Sequence, residues 1–256
     1  MTVAACLAPE PSIIPFPTAA SDWRTRLTAE ETRAMVDAPW FRGLPAELGQ
    51  ALVSIAGVRR VPAGQTMTHA LGKADEWFGV ARGAVKLCSG TRAGRQVIFT
   101  LAGPGDWFGD VAVMDGESPT HDAQTCMTTT LLVVSKPDLL SLLRRQPLLG
   151  IALARINCQR AQEMMAMFTD AVSLSHEQRL IGHLLSLSRR FGVPRGDGIR
   201  IALQMSQQDL ANLLGASRQR INALLKKLER QHLLRIEPSG VVILSPEGLK
   251  AEAALA

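Results

Sequence analysis

Cysteine is scarce and unclustered in this chain. Cys6, Cys88, Cys126 and Cys158 stand far apart, with no CxxC pair and no nearby histidine partner. That spacing offers no zinc ligand set and fits a reducing compartment. No run of 18 apolar residues occurs, so no membrane-spanning helix is expected. Met1 to Pro17 lack a basic start, and Pro9, Pro11 and Pro15 break up their apolar stretch, so no secretory signal and a cytoplasmic location are expected. With 256 residues, 46% of them hydrophobic and 20% charged, the chain can bury one or two cores, and two domains are expected.

The net charge is +5, and its distribution is uneven. Up to Ala171 there are 16 basic and 16 acidic residues, whereas Val172 to Ala256 hold 12 basic and 7 acidic. A basic domain attached to a neutral one points to an anionic partner at the basic end, with nucleic acid the first candidate.

Residues 1–22 are rich in Ala and Pro without periodicity and read as a loose tail. Trp23 to Ala56 suggests short helices. From Val58 to Val134 short apolar runs are punctuated by glycine, as in a many-turned β domain. Within it Asp75-Glu76-Trp77-Phe78-Gly79 is echoed by Gly105-Asp106-Trp107-Phe108-Gly109, beside expected strands at Val80 to Cys88 and Gln96 to Leu101. Lapped hairpins of this kind make a jelly roll or β-roll. Asp138 to Arg145 reads as a short helix. Pro147 then opens a stretch to Val172 with no Gly after Gly150, enough for a helix of about seven turns. On it Ala154, Asn157, Ala161, Met164, Phe168 and Ala171 recur at spacings of 3 and 4, which makes a seam for a partner helix as well as a face that could pack on its own β domain. Ser175 with Gln178 predicts a capping box and a new helix to about Arg190. Phe191 to Gly198 is expected as a loop, and Ile199 to Leu203 as a strand.

The most informative stretch is Gln207 to Leu225. Two helices crossing at a tight turn need a small residue at the crossing, a turn residue four later and an apolar inner face on the second helix. Ala211, Gly215, Ile221 and Leu224 meet those needs at helix-turn-helix spacing. Ser206 with Asp209, and Ser217, supply the two helix starts. Ile221, Leu224, Leu225 and Leu228 form the stripe to be buried, leaving Arg218, Gln219, Asn222, Ala223 and Lys226 opposite. Arg can bond guanine twice and Asn or Gln adenine, while Arg220, Lys226 and Lys227 can take phosphates. Ser206, Gln207, Gln208 and Ser217, at the helix starts, join the expected DNA contacts. Leu233 to Ile236 and Val241 to Leu244, around Glu237-Pro238-Ser239-Gly240, read as a hairpin wing.

This order of parts resembles the CRP/FNR family of bacterial transcription regulators, over about Trp23 to Gly248. The resemblance rests on Ser206 to Leu228, especially Ser217-Arg218-Gln219-Arg220, and on Gly105 to Asp110, which is similar to the family's GDxFGE turn. It implies an α+β chain with an N-terminal double-stranded β-roll of jelly-roll type at 23–146, a dimerisation helix at 147–173 and a winged helix-turn-helix domain at 174–256. It further implies a homodimer on pseudo-palindromic double-stranded DNA, no enzymatic activity, and RNA polymerase as a partner if the protein is an activator. Two departures limit the carry-over. The recognition helix has Gln219 and Ala223 where well-known members have Glu and Arg. The effector pocket would involve Gly109, Asp110, Thr120, His121, Asp122, Met164 and Met165, yet Thr120-His121-Asp122 stands where cyclic-nucleotide binders have Arg-Ser. No Lys or Arg occurs from Gln96 to Ser135, against five acidic residues, which makes a poor phosphate cradle. Cyclic AMP is therefore not expected as the effector. Cys6 alone cannot supply the N-terminal cluster of the iron-sulfur members, and a haem member would need an axial ligand from among His69, Cys88 and His121, each of which reads more readily as a structural residue. No metal site is expected. Two other classes remain open at this point: a jelly-roll metal enzyme, which would need more histidines than His69 and His121 in the roll, and a ligand-binding module acting on a protein partner.

Overall fold

The computed structural model describes residues 26–90, 96–238 and 240–255, so the expected N-terminal tail and Trp23 lie outside the described residues. Three helices, α1 (Ala29–Val36), α2 (Pro39–Arg42) and α3 (Ala46–Ile55), precede eight strands: β1 (Gly57–Val61), β2 (Thr66–Thr68), β3 (Glu76–Arg82), β4 (Val85–Gly90), β5 (Gln96–Ala102), β6 (Trp107–Phe108), β7 (Asp122–Thr125) and β8 (Thr129–Ser135). A short helix, α4 (Asp110–Asp115), lies between β6 and β7. The strands form two four-stranded sheets, ordered β1-β8-β3-β6 and β2-β7-β4-β5, with antiparallel pairing throughout.

Alternation along the strands builds two layers of core. On β8, Leu131 and Val133 face the space between the sheets with Phe78, Val80, Val85 and Phe108, while Leu132 and Val134 face the helices with Trp77, Trp107, Met35, Leu48, Leu52 and Leu139. A strand covered on both faces needs apolar residues at every position, which Leu131-Leu132-Val133-Val134 supplies. The two echoed segments pair with each other: Phe78 is opposite Phe108 and Gly79 opposite Trp107. Their rings stack in turn, Trp77 on Trp107 at 4.1 Å and Phe78 on Phe108 at 5.2 Å between centroids.

Two expectations are corrected here. Val80 to Cys88 is not one strand, because Gly83 takes a left-handed turn with φ +91 and splits it into β3 and β4. A Cβ at Gly83 would lie 2.6 Å from Thr129 Oγ1, so neither the conformation nor the space admits another side chain. The second concerns Phe191 to Gly198, which is not a loop.

After α5 (Lys136–Arg145), α6 (Leu148–Ser173) runs 26 residues from Pro147, and α7 (His176–Phe191) follows the extended Leu174. The Ser175 and Gln178 capping box is formed in both directions. β9 (Gly192–Arg195) then pairs antiparallel with β10 (Gly198–Ile201), closed by Gly196 and Asp197. Pro194 fits there because β9 is the edge of its sheet. The remaining elements are α8 (Gln207–Leu214), α9 (Arg218–Arg230), β11 (Leu234–Glu237), β12 (Gly240–Ile243) and α10 (Pro246–Leu255), and the small sheet is ordered β11-β12-β10-β9. The wing strands fall within one residue of their expected places, and Ser239 of the turn lies outside the described residues.

Two glycines separate space from propensity. At Gly79 a Cβ would sit 2.5 Å from the Trp107 ring, whereas at the exposed Gly182 of α7 it meets nothing within 4 Å. Gly79→Ala should therefore destabilise the chain by about 1–3 kcal/mol through overpacking. Gly182→Ala should stabilise it by about 1 kcal/mol through helix propensity. Urea denaturation of both variants checks the opposite signs.

Candidate nucleic-acid interface

The site is built around the turn between α8 and α9. Ser206 and Asp209 cap α8 reciprocally, and Ser217 accepts from the backbone N–H of Arg220 to start α9. Between them Gly215 adopts φ +63 with open space around its missing Cβ, so conformation and not crowding requires glycine there. Leu210, Ala211 and Leu214 of α8 and Ile221, Leu224, Leu225 and Leu228 of α9 are all buried, as the sequence pattern implies. Arg179 on α7 adds a contact that local spacing could not reveal. Its Nη2 donates to the Leu214 carbonyl at 2.8 Å, tying the turn to the preceding helix.

Burying that stripe turns the other face of α9 outward. Arg218, Gln219, Arg220, Ala223 and Lys226 are exposed and Asn222 is half-buried. Among the described residues, the side chains of Arg218, Gln219, Arg220, Asn222 and Lys226 have no hydrogen-bond or ion-pair partner. Several other cations of the domain are already neutralised. Arg235 pairs with Asp197 at 2.5 Å and Arg195 with Glu237 at 2.7 Å. Lys227, expected to take a phosphate, instead bridges Glu177 of α7 at 2.6 Å and Glu252 of α10 at 2.9 Å. Those hydrogen bonds raise its pKa above the usual lysine value. His176, in the first turn of α7, is held below the usual histidine range by burial and by the neighbouring charges of Arg179 and Arg220. It thus stands beside the cationic face, a proximity that residue spacing did not reveal.

In the first turn of α8, Ser206 and Gln208 are exposed and Gln207 is half-buried. The Ser206 hydroxyl donates to Asp209 at 2.6 Å, and Gln208 donates to Asn212 at 2.9 Å. Asp209 also receives Lys86 of β4. Burial alone would raise this carboxyl, but the hydrogen bonds from Ser206 and Lys86 outweigh it and hold Asp209 below the usual carboxylate value.

The long helix is covered by its own chain only near its start, where Leu149 and Leu153 are buried. Of the expected seam, Ala154, Ala161, Met164, Phe168 and Ala171 are exposed. Asn157 departs from it: its Nδ2 donates to Asp110 at 2.8 Å, so it faces its own roll. An overlapping row, Ile151, Ala154, Cys158, Ala161, Met165, Phe168 and Val172, also at spacings of 3 and 4, is exposed at every member.

The expected effector-pocket residues divide into groups. Gly109 takes φ +93 and starts α4, and Asp110 is buried, bonded by Arg160 at 2.9 and 3.0 Å and by Asn157. Arg160 also donates to the Trp107 carbonyl. The expectation of an acidic stretch without a nearby cation is thereby corrected, since α6 supplies Arg160 from 50 residues away. Thr120 and His121 bond each other at 3.1 Å, His121 lies edge-on to Phe99, and Asp122 accepts from the Ala70 backbone and faces His69. Met164 and Met165 are 70% and 71% exposed, and the described contacts join neither of them to these groups. Burial raises the Cys88 thiol above its usual value. Among the described residues no group of three or more His, Cys, Asp or Glu side chains could hold a metal, and no helix is long and apolar enough to cross a membrane.

Comparison with known proteins agrees with both halves. The cyclic nucleotide-binding domain profile matches residues 58–146, and the Crp-like helix-turn-helix domain profile matches residues 178–252. The chain is 27% identical over 213 residues to the CRP-like cAMP-activated global transcriptional regulator of Mycobacterium tuberculosis, covering 83% of this chain and 95% of the relative. It is 26% identical over 181 residues to the global nitrogen regulator of Synechocystis, covering 70% and 80%. In fold it is similar to the c-di-GMP responsive global regulator CLP of Xanthomonas campestris, with a TM-score of 0.67, 21% identity and coverage of 78% and 99%. It is similar also to FixK2 of Bradyrhizobium japonicum, with a TM-score of 0.68, 20% identity and coverage of 77% and 96%. With a roll, a long helix and a winged helix-turn-helix in this order, the chain belongs to the CRP/FNR family of transcription regulators, which bind DNA and are not enzymes.

Proposed function

We propose that the chain acts as a two-fold homodimer on a pseudo-palindromic duplex, with α9 reading bases and an effector other than cyclic AMP acting through the roll. The observation that carries the reading is the face of α9, where Arg218, Gln219, Arg220, Asn222 and Lys226 have no intramolecular partner among the described residues. Unpaired cations and amides on a helix of this motif have the chemistry to bond base edges and phosphates in a major groove. The exposed row on α6 supports the second copy, because a parallel pair of such helices buries Met165, Phe168 and Val172 against their own equivalents. Half-site centres then lie about 10 base pairs apart. Where the site leads to activation, RNA polymerase is the partner, and the cytoplasm is the place of action.

The exclusion of cyclic AMP is supported by Asp110. Its carboxylate is already satisfied by Arg160 and Asn157, and residues 96–135 hold no cation for a phosphate. Isothermal calorimetry should show no micromolar binding of cyclic AMP; micromolar binding together with tighter DNA association refutes this part of the reading.

Along α9, Arg218 and Arg220 point about 200° apart, so they cannot enter the groove in the same way. Arg218 shares its face with Asn222, and Arg218→Ala should cost about 1–3 kcal/mol and relax preference at one position per half-site. Arg220→Ala and Lys226→Ala should weaken binding to all sequences and flatten the salt dependence. Lys227→Ala should leave the salt dependence as it was, because Glu177 and Glu252 already hold that charge. Titrations of the four variants on the selected site and its single-base variants, at two salt concentrations, check this. An equal loss for Arg218→Ala on every sequence contradicts base reading by Arg218.

A further inference from the structure

A cavity of about 390 Å³ opens at the surface between α4 and the first turns of α6. Val111, Met114 and Asp115 of α4 line it on one side, and Gly150, Ala154 and Asn157 of α6 on the other. Its large apolar side chains stand in solvent, with Val111 54% and Met114 44% exposed. Apolar surface gathered in a groove of this kind gains free energy when a neighbour covers it. The opposite flank of α6 is uncovered too. Leu148 and Ile151 are 53% and 52% exposed there, and Arg155 is exposed with no ion-pair partner among the described residues. At roughly 100° per residue, Gly150 and Asn157 lie roughly 40–60° to one side of Ala154, whereas Ile151, Arg155 and Leu148 lie roughly 60–120° to the other.

We propose that this groove is filled by the start of α6 from a second copy, so that each protomer completes a pocket on the other. The inference rests on the parallel two-fold pairing along α6 proposed above, and goes beyond it by bringing α4 of the roll into the interface. In a two-fold pair of parallel helices, the left flank of one lies against the right flank of the other at the same height. The flank with Gly150, Ala154 and Asn157 therefore meets the flank with Leu148, Ile151 and Arg155 of the second copy. Ile151 and Leu148 of that copy enter the groove against Val111 and Met114. Arg155 of that copy comes to Asp115 at the rim, whose carboxylate accepts the Glu117 backbone N–H and has no cation beside it among the described residues. The occupant thus matches the groove in both respects, apolar where the walls are apolar and cationic where the rim is acidic. Symmetry gives the dimer two such pockets, so each substitution acts twice.

Sedimentation equilibrium of the full chain tests it, by giving the dimer dissociation constant of the native protein, Met114→Glu, Asp115→Arg, Arg155→Asp and the double exchange. All three side chains are exposed in the single copy, so the variants keep their fold, which far-UV circular dichroism checks. Met114→Glu should raise the constant at least tenfold, because it sets a carboxylate in an apolar contact. Each single charge change should raise it about two- to fivefold, and the double exchange should return it to within about twofold of the native value, since the pair is restored with its ends swapped. A double exchange as weak as the two single changes combined overturns the contact of Arg155 with Asp115. An unchanged constant in Met114→Glu leaves the groove to some other occupant and overturns the proposal. Cross-linking at Cys158 separates this result from the pairing itself. A native chain that is linked through Cys158 while Met114→Glu dimerises as well as the native chain refutes the groove alone, whereas a native chain that sediments as a monomer refutes the pairing and the groove together.

Discussion

Where α6 leaves the roll is set by a single buried charge pair. Asp110 is 1% exposed at the start of α4, and Arg160 reaches it from the fourth turn of α6 with both carboxylate oxygens bonded. Removing Arg160 would strand the buried Asp110 carboxylate, at a cost of about 3–5 kcal/mol. Asn157 fills the remaining side of the carboxylate, and Leu149 and Leu153 seal the helix start against Trp77 and Trp107. The helix beyond Arg160 then projects with an apolar row that its own chain does not cover. The proposed second copy, and with it the spacing of two recognition helices, rests on that projection.

The electrostatics of the C-terminal domain sharpen its surplus of basic residues into a site. Lys227, Arg195 and Arg235 are spent on internal carboxylates, which tie α7, α9, α10 and the wing together. Among the described residues, Arg218, Arg220 and Lys226 are left without partners on the face opposite the buried stripe. A rigid scaffold under an unpaired charged face favours specific contact over diffuse attraction to an anion, because little side-chain or domain ordering remains to be done on binding.

Features decided within one turn of helix were legible in the sequence. The two capping boxes, the left-handed Gly215 and the stripe from Ile221 to Leu228 depend on residues three or four apart. The echoed Trp-Phe segments signalled the roll, although not that they pair with each other. Contacts between distant residues were not legible: Arg160 with Asp110 is 50 residues apart, Arg179 with Leu214 is 35, and Lys86 with Asp209 is 123. Asn157 shows the limit of periodicity, since a residue at seam spacing can turn toward its own roll when a buried carboxylate waits there. Pro194 and its neighbouring glycines looked like a loop because an edge strand tolerates the same residues.

The central claim is a parallel pairing of two copies along α6, in register. In such a pair each core position meets its own equivalent across the two-fold axis, and Cys158 occupies the exposed row between Ala154 and Ala161. Treatment of the dilute native protein with a short bis-maleimide, followed by peptide mapping, measures this directly. The account predicts a covalent dimer whose cross-linked peptide joins Cys158 to Cys158 of the second copy. A chain that stays monomeric under these conditions, or a dimer linked only through other residues, contradicts it.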